Sequence, residues 1–190
     1  RKKLFEDSES FRKYIAIQEW FEADEEAPYY SAVFDSEITD FYSWTISKDG
    51  KLVIGSALSP SKDAKKKFAL LKSKLGEYGF RFGNCLNREG SYILRPRKGD
   101  IMTGNDYAAL IGFISPSSAE GLSYAFKSAH ALALSLNEGI EGFQQRYRQR
   151  ASALTRSIAI KQAKNIVMYN KTLRGLVMKS GILSSKVLFE

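Results

Sequence analysis

Tyr42-Ser43-Trp44-Thr45-Ile46-Ser47-Lys48-Asp49-Gly50-Lys51-Leu52-Val53-Ile54-Gly55-Ser56-Ala57 is the stretch that decides how this chain folds. Large residues alternate with small polar ones as far as Ser47, the period of a half-buried strand. Ser47 to Gly50 then supplies turn chemistry, because Asp-Gly accepts the positive φ angles that a tight hairpin demands. Lys51 to Gly55 forms the returning strand. Alternate residues of a strand face one side, so Tyr42, Trp44 and Ile46 make a continuous apolar wall. Such a wall lines a cavity, or it is one half of a cross-strand aromatic pair in a filled sheet.

On the N-terminal side, Tyr14 to Phe21 mixes β-branched and aromatic residues and reads as another strand. On the C-terminal side the period changes. Ser61 to Leu75 places Ala64, Phe68, Leu71 and Leu75 on one helical face and lysines on the other. Ser59-Pro60 is its start signal and Gly76 its stop. Extended segments are expected at Tyr78–Phe82 and Ser91–Leu94, and a short buried strand at Tyr107–Ile111. Ser117-Ser118-Ala119-Glu120 has capping-box spacing and is expected to open a helix running to about Leu136. Asn137-Glu138-Gly139 ends it, and further helices are expected over 141–164 and 170–179.

Hydrophobic residues make up 44% of the 190 and charged residues 26%, ordinary values for a soluble globular protein. Aromatics at 13% suit a large apolar cavity or a sheet-dominated core. The single cysteine, Cys85, excludes an internal disulfide and fits a reducing, cytoplasmic setting. The single histidine, His130, leaves no ordinary metal site, and its neighbours suggest a packing role inside a helix. No apolar run approaches the eighteen or so residues of a membrane span, and no secretory segment is seen. The opening Arg1-Lys2-Lys3 lacks an initiator Met, as expected of a fragment or a processed chain.

Charge is unevenly spread. Residues 1–50 carry 12 acids against 6 bases, whereas 141–190 carry 2 acids against 10 bases. A basic tail of this kind points to an anionic membrane surface, a phosphate-bearing ligand or a nucleic acid, or it is a solvated helix face. The usual aromatic signature of RNA binding is missing, so no nucleic acid is expected.

One histidine and one cysteine support neither a Ser-His-Asp nor a Cys-His arrangement. There is no P-loop, no metal-binding cysteine cluster and no G-x-G-x-x-G. Any catalysis must therefore come from a cofactor. Two stretches indicate which.

Tyr42-Ser43-Trp44-Thr45-Ile46-Ser47, seven further residues and Gly55-Ser56-Ala57 resemble the Y-x-W-x-F-P, spacer, G-x-G pattern of geranylgeranyl reductases. Ile46 stands for Phe, Ser47 for Pro and Ala57 for the last Gly. The order also resembles the W-x-W-x-I-P element of flavin-dependent halogenases. The second stretch, Ala108 to Ala125, resembles the second flavin motif of the same p-hydroxybenzoate-hydroxylase-type superfamily: a buried strand, Gly-Asp-Ala-Ala-Gly-Phe, a Pro, then Gly-Glu-Gly entering a helix. Phe113-x-x-Pro116 and Glu120-Gly121 match, with Ala119 in place of the first Gly. Gly112 runs directly into Phe113, where the family carries four further residues beginning with an acid. Residues are therefore expected to be missing at that junction.

The resemblance implies FAD as cofactor, with Gly112, Phe113, Pro116, Ala119, Glu120 and Gly121 beside it. It implies a prenyl or lipid-like substrate against Tyr42, Trp44, Ile46 and Gly55, and no side chain is assigned as catalytic. The implied activity is reduction of carbon–carbon double bonds; the alternatives are a flavin monooxygenase or halogenase, or a non-catalytic fragment that binds lipid or a partner. Arg1 to Phe5 resembles the segment that comes directly after the family's middle flavin motif. The nucleotide-binding front half is thus expected to be absent and the fragment inactive alone. The expected architecture is α+β. A mixed or antiparallel substrate sheet with a covering helix spans 8–97, a C-terminal piece of an FAD-binding α/β domain spans 98–138, and a basic helical tail spans 139–190. That tail is expected to touch an anionic membrane peripherally.

Overall fold

A computed structural model describes residues 12–23, 27–95 and 113–180. The expected strand at Tyr107–Ile111, residue Gly112 and the Gly112–Phe113 junction lie outside the described residues. The chain divides into two compact units, Lys13–Ile93 and Leu94–Lys179.

Five strands form one sheet, lying in the first unit except for Arg12 and for Leu94 and Arg95, which belong to the second: β1 (Arg12–Glu22), β2 (Ser31–Val33), β3 (Ser43–Lys48), β4 (Lys51–Leu58) and β5 (Cys85–Arg95). Their order across the sheet is β2-β3-β4-β1-β5. The β1–β4, β2–β3 and β3–β4 pairs are antiparallel, with Trp44 opposite Gly55 and Gln18 opposite the same glycine. The β3–β4 hairpin closes at Lys48 and Lys51 with Asp49 at φ 53° and Gly50 at φ 67°. Positive φ at both central residues matches the right-handed twist of the strands, which is why Asp-Gly sits there.

Helix α1 (Ala64–Glu77) covers one face of this sheet. Its buried residues are Ala64, Phe68, Leu71 and Leu75, the apolar stripe expected from the period. They pack on Phe21 of β1 and on Leu52, Ile54 and Leu58 of β4. Burying each of the Phe and Leu side chains contributes about 1.5–3 kcal/mol. Strand β4 is buried from Leu52 to Leu58 on both faces, as befits the central strand.

Two sequence expectations fail just after α1. The segment Tyr78–Phe82 is not a strand, and Gly76 does not stop the helix. Gly79, at φ 91°, is the residue that does. The Gly79 N–H donates to Gly76 O (3.1 Å) and the Phe80 N–H to Leu75 O (3.0 Å), the paired bonds of a Schellman motif. Phe80 and Phe82 then pack against the core as parts of an irregular turn.

In the second unit, helices α2 (Leu122–Asn137), α3 (Phe143–Met168) and α4 (Lys171–Lys179) follow one another. Their core joins Phe113, Tyr124, Ala131, Tyr147, Ala151 and Ile158. Small residues on α2 let α3 approach closely. Polar pairs cross the seam: Ser128 Oγ with Tyr147 Oη (2.6 Å) and Tyr124 Oη with Ser157 Oγ (2.9 Å). Arg146 reaches back to the open end of α2, donating to the carbonyls of Ser135, Gly139 and Glu141. Carbonyls at a helix end have no partner within the helix, and a cation complements the negative end of its dipole.

Here too the sequence reading needs correction. Ser117 does not cap a helix, because α2 begins five residues later at Leu122. Ser115 instead ties off a tight turn, whose geometry keeps Ser117 outside the helix. His130 is exposed on α2 rather than packed in its interior, since α2 turns Tyr124, Ser128, Ala131 and Ser135 inward. No described helix is long and apolar enough to cross a membrane.

Candidate functional site

The sheet face turned away from α1 carries the aromatic wall. Trp44 and Ile46 on β3, and Tyr42 just before it, are half-buried there. Trp44 lies flat against the backbone of Gly55. A Cβ placed on Gly55 would fall 2.1 Å from the Trp44 ring, so only glycine leaves room for the indole. Trp44 Nε1–H donates to Gln18 Oε1 at 3.1 Å, which fixes the ring from the β1 side. The rings continue outward. Tyr42 lies 5.8 Å from Trp44 and 4.8 Å from Phe41 between ring centroids, and Phe41 stacks on Tyr14 at 5.0 Å. Burial raises the Tyr42 phenol above its ordinary pKa, so it stays neutral at physiological pH. The structure brings Tyr42, Trp44, Ile46 and Gly55 together on this one face. Sequence reasoning missed Gln18, Tyr14 and Phe41. The alternation of β1 was the only available signal for the first two, and Phe41 carried none.

The second candidate region is the turn entering α2. The Ser115 N–H donates to Glu120 O (2.8 Å), and Ser115 O accepts from the Ala119 N–H (2.8 Å). Ser115 Oγ accepts from Ser118 Oγ (2.9 Å) and from the Ser118 N–H (3.4 Å). Ala119 adopts φ 53°, the left-handed region where the family pattern has glycine. Glu120 then caps the helix, its Oε1 accepting from the Ser123 N–H at 2.9 Å. Burial opposes the charge on Glu120. The Ser123 hydrogen bonds and the nearby Lys161 and Lys127 outweigh it, so the carboxyl lies below its ordinary range.

Among the described residues, the N–H groups of Glu120, Gly121 and Leu122 find no hydrogen-bond partner. Those of Gly121, the cap of α2, and Leu122 are open donors of a helix N-terminus, with Glu120 just before them, an arrangement that favours an anionic group. A flavin that becomes anionic on reduction fits that donor set. Phe113 and Pro116 are buried behind the turn, whereas Ala119, Glu120 and Gly121 are partly accessible.

Side chains from distant parts of the chain meet the same turn. Arg95 Nε donates to Pro116 O at 2.8 Å, and Asn165 Nδ2 donates to the same oxygen at 3.4 Å. Tyr169 Oη donates to Ser117 O at 2.6 Å. The Arg95 guanidinium also lies 4.5 Å from the Tyr169 ring centroid. No local pattern could have revealed these three residues, because each reaches the turn from a segment far along the chain.

No protein-family model matches the chain. Among curated proteins, it is 40% identical over 187 residues to Protein CbrA of Escherichia coli O6:H1, which covers 96% of this chain and 50% of that protein. Protein CbrA of Shigella sonnei is also 40% identical over 187 residues, with 52% of its length covered. The chain thus spans about half the length of the curated relatives it matches. Among solved structures, a geranylgeranyl bacteriochlorophyll reductase-like protein from Thermoplasma acidophilum superposes with a TM-score of 0.62 at 18% identity. That match covers 93% of this chain and 49% of the other. At that identity the likeness shows a shared fold.

Proposed function

We propose that this chain is the substrate-facing and C-terminal part of an FAD-dependent oxidoreductase of geranylgeranyl-reductase type, which saturates carbon–carbon double bonds of a prenyl or lipid-like substrate. The observation that carries the reading is Trp44 lying flat on Gly55. A sheet that gives up a side chain on its central strand to seat an indole there presents a broad, rigid apolar surface. The fold shared with the Thermoplasma protein supports the same reading.

When bound, FAD would supply the two-electron chemistry, a hydride to one carbon of a double bond, with a solvent-derived proton completing the other carbon. The protein's own part is to bind, orient and exclude water. Tyr42, Trp44 and Ile46 would hold an isoprenoid chain by burial of apolar area, worth about 25 cal/mol per Å² removed from water. Gln18 keeps the indole from rotating. The open N–H groups of Glu120, Gly121 and Leu122 would face the cofactor edge that gains negative charge, with Phe113, Pro116 and Ala119 shaping the turn behind them. Gly112 belongs to the same proposed cofactor set. No side chain is assigned as an acid or base.

The test uses the protein at the full length of its relatives, with its flavin reduced anaerobically. Return of the oxidised flavin absorbance on adding a geranylgeranyl lipid, matched by a saturated product, supports the reductase. Reoxidation only by oxygen, with a hydroxylated or halogenated product, would assign a monooxygenase or halogenase instead. A colourless protein that takes up no flavin would overturn the cofactor reading.

A further inference from the structure

We infer that Asn165 and Tyr169 on the C-terminal helices, together with Arg95, are positioning residues for the 115–121 turn; what the turn positions, the cofactor, rests on the function proposed above. Three donors converge on the carbonyls of two successive residues, Pro116 and Ser117. The turn belongs to no helix or strand, and Ser115 is the hub of the hydrogen bonds described within it. It also contains Ala119 at φ 53°, a left-handed conformation that is unfavourable for a non-glycine residue. A turn strained in that way keeps its shape only when its surroundings over-determine it.

The brace meets that need. Asn165 lies within α3 and Tyr169 is the residue that caps it, so both donors stand on a helix fixed by the Tyr147–Ala151–Ile158 core. Arg95 packs against the Tyr169 ring, so the arms hold one another as well as the turn. The atoms they hold lie just before Ala119. Relaxation there would displace the Glu120, Gly121 and Leu122 N–H groups. The basic C-terminal segment therefore has a task beyond its charge: its far end fixes the backbone that opens α2.

The test is amide hydrogen exchange on the wild type and on an Asn165→Ala/Tyr169→Phe double variant, with Lys164→Ala as control. Tyr169→Phe keeps the ring that Arg95 packs on and removes only the hydroxyl. Exchange of the Ser115, Ser118 and Ala119 amides, which are hydrogen-bonded within the turn, is expected to rise about tenfold for each brace bond lost, with the α2 and α3 core unchanged and the control like the wild type. No change at these three amides, or an equal rise through α2 and α3, would overturn the inference. A second arm measures the flavin midpoint potential in the full-length protein. A more negative potential in the double variant is expected, because misdirected N–H groups stabilise the reduced form less. Flavin bound with an unchanged potential, despite a loosened turn, would sever the brace from the cofactor. A wild type without flavin would sink the cofactor reading, while the exchange rates would still decide for or against the brace.

Discussion

Glu19 sits on the α1 face of the sheet with 2% of its side chain exposed, held by Lys72 at 2.6 Å and Arg88 at 2.6 Å. A buried carboxylate without a partner is costly, so removing either cation destabilises the fold, though not equally. Lys72 is 27% exposed and lies 5.5 Å from the rings of both Phe21 and Phe68, whereas Arg88 is 66% exposed at the sheet edge. Urea unfolding should show Lys72→Met destabilising by about 2–4 kcal/mol and Arg88→Met by less than half of that, because water replaces the arginine more easily. Equal losses would contradict this ranking. Glu120 gives a pH-dependent counterpart. Its folded-state pKa lies below the ordinary 4.5, so its contribution is present above that value and is lost as pH falls through the depressed one. Thermal melts should therefore separate wild type from Glu120→Gln at pH 7, and the gap should narrow progressively as the pH falls below the ordinary carboxylate range. The sequence held the clue to Glu19, an acid in the alternating set Ile15, Ile17, Glu19 and Phe21. Its partners, 53 and 69 residues away, were not legible.

Helix α1 and the β3–β4 hairpin were readable because each follows a local rule, one a 3.6-residue period and the other an Asp-Gly turn. The ends of helices were less so. Gly76 and Gly79 are both plausible stops by composition, and only the Phe80 side chain reaching the core selects the second. Likewise Ser117 has the spacing of a cap, yet Ser115 closes the turn. The two candidate regions differ in the same way. The wall residues were found by period-two spacing, whereas the brace on the turn depends on contacts that only the folded chain creates. Gly55→Ala tests the wall at the level of paired strands. The added methyl meets the rigid Trp44 ring rather than a flexible chain end. It should cost about 1–3 kcal/mol by overpacking, and much less in a Trp44→Ala background. Additive losses in a double-mutant cycle would show that the two residues do not share the space.

For the molecule as a whole, the basic tail is less available than its composition suggests. Arg146 and Arg150 are engaged with the end of α2 and with Glu138, and Lys161 lies over Tyr124. Among the described tail residues, Arg156, Lys164 and Lys171 remain without a partner. At about 1 kcal/mol for each basic residue beside an anionic bilayer, these three described residues contribute a weak, salt-sensitive attachment. Flotation with anionic liposomes should recover the protein partially at low salt and not at high salt; equal recovery with neutral liposomes would exclude electrostatic docking. The sheet's outermost strand carries a different implication. β5 runs for 11 residues at the border of the sheet and is exposed along most of its length. Such a border is a template on which another chain can crystallise into fibre. Arg88 and Glu89 sit in its middle as gatekeepers. Arg88, which neutralises Glu19 from the edge, is thus also the kind of charge that opposes pairing of this border with another chain.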